Sequence, residues 1–248
     1  MRFDVVTLFP ELFAPFLTVG VTRRAYESGQ VDVQFTNPRD HAMGNYRRID
    51  DRPFGGGPGM VMMAEPLSKA VAHIRTQRSD APPVVLFSPI GKRLDHAMVQ
   101  RWSGSTGAIL ICGRYEGIDQ RFIDTQVDEQ ISLGDFVLSG GEVATMALLD
   151  AIARLQPGVL SDPDSHHLDS FNPALDGLLD CPHYTRPEGW DGQVVPPVLL
   201  SGNHAHIERW RRDQRLRWTA QHRPDLLEAA RAAGQLSAQD TAALRRID

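Results

Sequence analysis

The chain predicts an α/β protein built on a mostly parallel sheet, and three features carry the prediction. Strand-like and helix-like stretches alternate from residue 3 to residue 153. Two runs, at 83–87 and at Ala108-Ile109-Leu110-Ile111-Cys112, are apolar almost throughout, as strands covered on both faces are; a half-exposed sheet would alternate apolar with polar. Glycine-bearing turns follow three of the predicted strands, where open α/β sheets collect their ligands.

In chain order, residues 3–8 read as a strand, 10–28 as a helix and 31–35 as a second strand, a βαβ opening. Residues 37–60 break the rhythm. They hold Arg39, Arg47, Arg48 and Arg52 beside Tyr46 and end in Gly55-Gly56-Gly57-Pro58-Gly59, which predicts a functional loop. A helix at 67–74, a buried strand at 83–87, a helix at 94–102 and strands at 108–112 and 128–132 follow. Glu142 then opens a mostly apolar helix carrying Val143, Ala144, Met146, Ala147, Leu149 and Ala151.

Residues 156–174, with Pro157, Gly158, Pro163 and Pro173 and little periodicity, read as a linker. Residues 204–223 read as a helix with six arginines (Arg209, Arg211, Arg212, Arg215, Arg217, Arg223) interleaved with Trp210 and Trp218, a pattern suited to phosphate contact. Helices at 226–233 and 238–247, with Gly234 as a stop and Ser237 as a cap, complete a small helical domain.

The 248 residues suffice for one large domain or two modest ones without covalent staples. Cys112 and Cys181 are the only cysteines, so a reducing, cytoplasmic setting is expected and a zinc site lacks ligands. Arg2 and Asp4 do not fit a signal peptide, and no apolar stretch reaches membrane-spanning length. A net charge of -5 opposes indiscriminate binding of nucleic acid and leaves recognition to a local face.

The three turns, Ser88-Pro89-Ile90-Gly91, Gly113-Arg114-Tyr115-Glu116-Gly117 and residues 133–142 with Gly134, Gly140 and Gly141, predict one small-molecule site. A dinucleotide fingerprint is absent, since Met60 stands where the third glycine after Gly55 and Gly57 belongs. A P-loop is absent too: Arg93 follows Gly91-Lys92, and Leu86 occupies the place of its first glycine. A nucleoside carrying positive charge, held by backbone groups and an acidic side chain such as Glu116 or Asp135, fits better. A nicotinamide oxidoreductase would need the missing fingerprint, and a non-catalytic RNA-binding module would have no use for three glycine turns.

Longer motifs identify a family. Phe9-Pro10-Glu11-Leu12-Phe13, Gly55 through Met60, Ser88-Pro89-Ile90-Gly91, Cys112 through Asp119, Gly134 through Glu142, Asp169-Ser170-Phe171, Leu179 through Pro187 and Val195 through His204 resemble, in order, the bacterial tRNA (guanine-N1)-methyltransferases. The resemblance implies a SPOUT-type fold with a deep trefoil knot, a domain at 1–160 that binds S-adenosylmethionine, a flexible linker or lid at 161–174 and a C-terminal helical tRNA-binding domain at 175–248. It implies a homodimer whose active sites are shared between subunits, and as substrate the tRNA guanosine at position 37, immediately 3′ of the anticodon. Mg2+ assistance comes with the family, although no acidic cluster marks a site and no residue is assigned as a metal ligand; the pair His166-His167 reads as exposed loop histidines.

The resemblance also distributes roles. The cofactor falls to Ser88 and Pro89, to Gly113, Tyr115, Glu116 and Gly117, and to Ser132, Leu133, Gly134, Asp135, Phe136, Val137, Leu138, Gly140 and Gly141. Guanine N1 is a poor nucleophile until its proton leaves, and charge then gathers on O6, so a base and a cation are needed. By resemblance these are Asp169 and Arg154. Phe136 stands where the family often has Tyr, which removes a hydroxyl from the cofactor loop.

Overall fold

The computed structural model describes residues 1–161 and 166–245. Two compact units divide the chain, Met1–Ser161 and Asp162–Asp248.

The first unit begins with β1 (Arg2–Val6), followed by a 3-10 turn at Pro10–Phe13, α1 (Ala14–Thr18) and α2 (Arg23–Glu27). The single helix expected over 10–28 is thus broken. Val19 takes extended backbone (φ -120°, ψ 149°) at the end of α1, and Phe13 and Ala25, on either side of the break, are each buried. β2 (Asp32–Thr36) comes next. The stretch expected to be a loop carries a two-stranded antiparallel ribbon, β3 (Asp50–Asp51) with β4 (Val61–Met62).

α3 (Ala64–Thr76) leads to β5 (Val84–Arg93), α4 (His96–Ser103) and β6 (Gly107–Ile111). α4 is capped by Asp95, whose carboxylate accepts from Met98 N at 2.8 Å. The helix α5 (Gln120–Gln126) went unpredicted because its seven residues bury only Phe122, too little to set up a period. β7 (Glu129–Ser132) and α6 (Glu142–Ala153) complete the unit.

The five long strands form one parallel sheet in the order β2-β1-β6-β5-β7. Every residue of β6 is buried, and they point alternately into two cores. Ala108 and Leu110 join Phe3, Val5, Trp102, Leu148 and Leu149 on one side, while Ile109 and Ile111 join Val6, Leu67, Val71 and Phe122 on the other. Coverage on both faces explains the uniformly apolar run, each large side chain contributing about 1.5–3 kcal/mol. Ser88-Pro89-Ile90-Gly91 does not follow a finished strand. It loops out of β5, so that Phe87 and Lys92 both stand in register with Ile131 of β7.

In the second unit a 3-10 turn at Pro173–Leu175 precedes a short hairpin, β8 (Gly189–Trp190) and β9 (Gln193–Val194), and the single turn α7 (Pro197–Leu200). The helices α8 (His204–His222), α9 (Pro224–Ala232) and α10 (Ala238–Leu244) pack around Leu178, Leu216, Leu227 and Ala230. Asn203 caps α8, and Ser237 with Asp240 forms a capping box on α10. The last residues of the helix expected over 238–247, from 246 onward, lie outside the described residues, as do residues 162–165 of the expected linker. Among the described residues no helix is long and apolar enough to cross a membrane.

Candidate active site

Three segments of the first unit enclose a cavity of about 280 Å³. The loop-out of β5 brings Ser88 and Pro89, the turn after β6 brings Gly113 to Gly117, and the loop after β7 brings Ser132, Leu133, Gly134, Phe136, Val137, Leu138, Ser139, Gly140 and Gly141. The walls are joined by backbone. Gly141 N donates to Gly113 O at 3.0 Å, and Arg114 pairs with Gly140 in an antiparallel bridge. Tyr115 adopts left-handed backbone (φ 61°), an uncommon conformation for a side chain of its size and one that recurs at ligand sites.

The crest of the β7 loop is apolar and open: Phe136 is 56% and Val137 85% exposed. The end of the glycine-rich stretch docks on the middle turn, with Glu116 N donating to Met60 O at 3.0 Å and Met62 N to Gly117 O at 2.9 Å. Tyr46 and Phe54, in the same stretch, are almost fully exposed.

Asp135 does not line the cavity. Its carboxylate is 97% exposed and pairs with Arg93 at 3.6 Å. Arg114, Leu86, Phe87, Ile118, Ile123, Ile131 and Ala144 line it without having been singled out. Arg114 belongs to the motif in the turn after β6, whereas Ile123 sits on α5, which carries no local signal.

Arg154 caps the C-terminus of α6, its N donating to Asp150 O at 3.1 Å. Asp169 belongs to the second unit, in a folded turn centred on buried Asn172. Asn172 N donates to Asp169 O at 3.2 Å, and its side chain donates to His166 O and accepts from Ala174 N, each at 2.9 Å. Ser170 Oγ accepts from Asp180 N at 2.9 Å, and Phe171 takes left-handed backbone (φ 71°).

The arginines of α8 are largely engaged by acids within their unit. Arg209 pairs with Asp213 and Asp240, Arg211 with Glu208, Arg212 with Asp176 and Asp240, and Arg215 with Asp180. Trp218 stays 39% exposed.

A cavity with a backbone cradle and one acidic side chain, Glu116, fits a cationic nucleoside. Magnesium is held by several oxygens, commonly one or two carboxylates plus substrate oxygens, and among the described residues lining the cavity Glu116 offers one carboxylate. Among the described residues, Asp180, Cys181 and His183 cluster as donors, but Arg215 lies 3.3 Å from Asp180 and His183 Nε2 2.8 Å from it, the arrangement of an ion-paired network. Burial, and then the Asp180 charge, push the Cys181 thiol up.

The family model described as tRNA (Guanine-1)-methyltransferase TrmD matches residues 1–229. The chain belongs to this family. The match spans both units and all three walls of the cavity. Among curated relatives, proteins named tRNA (guanine-N(1)-)-methyltransferase are similar to this TrmD-family chain over essentially its full length. That of Albidiferax ferrireducens is 72% identical, covering 98% of either chain, and that of Paracidovorax citrulli is 69% identical, covering 100% of this chain and 99% of its own. A Polaromonas relative of the same name is 70% identical over 98% of this chain and 96% of its own. The chain is therefore an enzyme of the TrmD methyltransferase family.

Proposed function

We propose that this enzyme moves the methyl group of S-adenosylmethionine to N1 of the guanosine at position 37 of tRNA, 3′ of the anticodon. The observation that carries the reading is the cavity itself, three walls of which two present glycines, with Glu116 as their acidic side chain. When bound, S-adenosylmethionine supplies an electrophilic methyl on a sulfonium. The backbone of residues 113–117 and 132–141 holds the nucleoside, and Glu116 faces its positive charge.

Asp169 takes the proton of guanine N1, and Arg154 stabilises the negative charge that collects on O6. The N1 electron pair forms the new N–C bond while the methyl–sulfur pair returns to sulfur. The reading includes a homodimer that shares its active sites between subunits, with Arg154 supplied by the end of α6 and Asp169 by the turn around Asn172. Exposed Leu12, Val19 and Val21 offer apolar surface for a partner subunit. A cytoplasmic setting suits a tRNA substrate and two unpaired cysteines.

Purified protein given labelled S-adenosylmethionine and tRNA transcripts with G or A at position 37 tests the reading. Label is expected in the G transcript alone; equal labelling of both, or of neither, overturns it.

A further inference from the structure

Among the described residues two charged side chains line the cavity, Arg114 and Glu116. They are not equivalent. Arg114 is held from behind by Glu142: its Nε donates to Oε1 at 3.1 Å and its Nη2 stands 3.0 Å from Oε2. Oε2 makes no aligned hydrogen bond, so that half of the contact is electrostatic. Arg114 also donates from Nη1 to Ser139 O at 3.2 Å and lies over the ring of Phe9 at 4.5 Å.

Glu142 is 1% exposed and does not line the cavity. Thr7 Oγ1 donates to its Oε1 at 2.8 Å. The pair lies directly under the loop backbone, where a Cβ on Gly140 would fall 2.6 Å from Glu142 Oε2. A carboxylate is costly to bury unless it is paired, and here its partner is a cation of the ligand cavity.

The geometry points to Glu142 as the residue that sets the charge of the cofactor cavity. By neutralising Arg114 it leaves Glu116 as the uncompensated charge, and the cavity then discriminates between a nucleoside with a cationic sulfonium and the same nucleoside with a neutral thioether. This rests on the reading of the cavity as the S-adenosylmethionine site. Methyl transfer abolishes the charge that Glu116 faces, so the product nucleoside loses that attraction. A purely structural weld between Arg114 and Glu142 would affect both nucleosides alike.

Calorimetric dissociation constants of the full chain for S-adenosylmethionine and S-adenosylhomocysteine decide between the two. Glu142→Gln preserves size and the acceptor for Thr7 but frees the guanidinium. The ratio of the first constant to the second is expected to rise roughly three- to tenfold, and less at high salt, since the repulsion acts across a partly screened cavity. Combining Glu142→Gln with Arg114→Gln removes both charges and should return the ratio to the wild-type value. An unchanged ratio in the single variant, with both ligands weakened equally, overturns the proposal. If Glu142→Gln does not fold, Arg114→Gln alone carries the test: it leaves the Glu142 carboxylate uncompensated beneath the cavity, so the ratio is expected to fall below the wild-type value, and an unchanged ratio overturns the proposal. Wild-type protein that binds neither nucleoside would instead refute the cofactor reading beneath it.

Discussion

Gly141 lies against Cys112 so closely that a Cβ on it would stand 2.7 Å from the Cys112 Cα. The helix α6 therefore starts in contact with the end of the central strand, and a hydrogen bond from Gly141 N to Gly113 O seals the junction. The collision is with backbone, which cannot swing aside. Gly141→Ala is expected to lower stability by about 1–3 kcal/mol, read as a fall in thermal midpoint, together with loss of nucleoside binding. At Gly140 the obstructing atoms are Arg114 Nε and Cδ and Glu142 Oε2, side-chain atoms and not backbone. Gly140→Ala should therefore weaken nucleoside binding with a smaller fall in midpoint, and the reverse ranking of the two variants would refute this account.

Asp169→Asn keeps the shape of the turn around Asn172 and removes the proposed base. Methyl transfer should fall by about 100- to 10,000-fold while affinity for S-adenosylmethionine stays within about twofold. Single-turnover rates and calorimetry separate the two effects, and a parallel loss of cofactor affinity would show that the role is misassigned.

Asp240 ties α10 to α8 through Arg209 and Arg212. Burial alone would raise its pKa, but hydrogen bonds from Arg212 and from Ser237 N and Oγ outweigh that and hold it at about 2. A carboxylate depressed in the folded state stabilises above its unfolded pKa and loses that contribution as pH falls through the folded value. Asp240→Asn should lower the thermal midpoint at pH 7, and the gap from wild type should close between about pH 4 and pH 2. A gap that is constant with pH would remove the charge from the explanation.

Arg78 and Asp4 form an ion pair at 2.9 Å with side chains 3% and 2% exposed. Asp4 retains Arg2 at 2.6 Å if Arg78 is replaced, so its carboxylate is not stranded outright. Arg78→Met is expected to cost about 1.5–3 kcal/mol in urea unfolding without changing nucleoside affinity. A loss of affinity comparable to the loss of stability would link this end of β1 to the site.

Helix starts and buried strands were legible because their causes are local. Ser237 needs only the residues after it to cap α10, and Ala108 to Cys112 reads as covered on both faces from its own composition. The helix expected over 10–28 failed for a complementary reason, since period alone does not reveal that Phe13 and Ala25 each have to reach buried positions across an extended Val19. Of the cavity, the three walls, Arg114 among them, were visible as motifs, while Ile123 became a wall residue only through packing.

By itself the sequence determines the alternating elements, the glycines that leave room for a ligand and the family to which the chain belongs. Tertiary structure alone decides that residues 88–91 loop out of β5 while the strand continues, and that Asp135 faces solvent beside Arg93. It also decides that Glu142, to all appearance an ordinary acidic residue in a first helical turn, is buried between Thr7 and Arg114. These partners lie 135 and 28 residues away. A charge is costly to bury except beside its partner, and only the folded sheet brings that partner within reach.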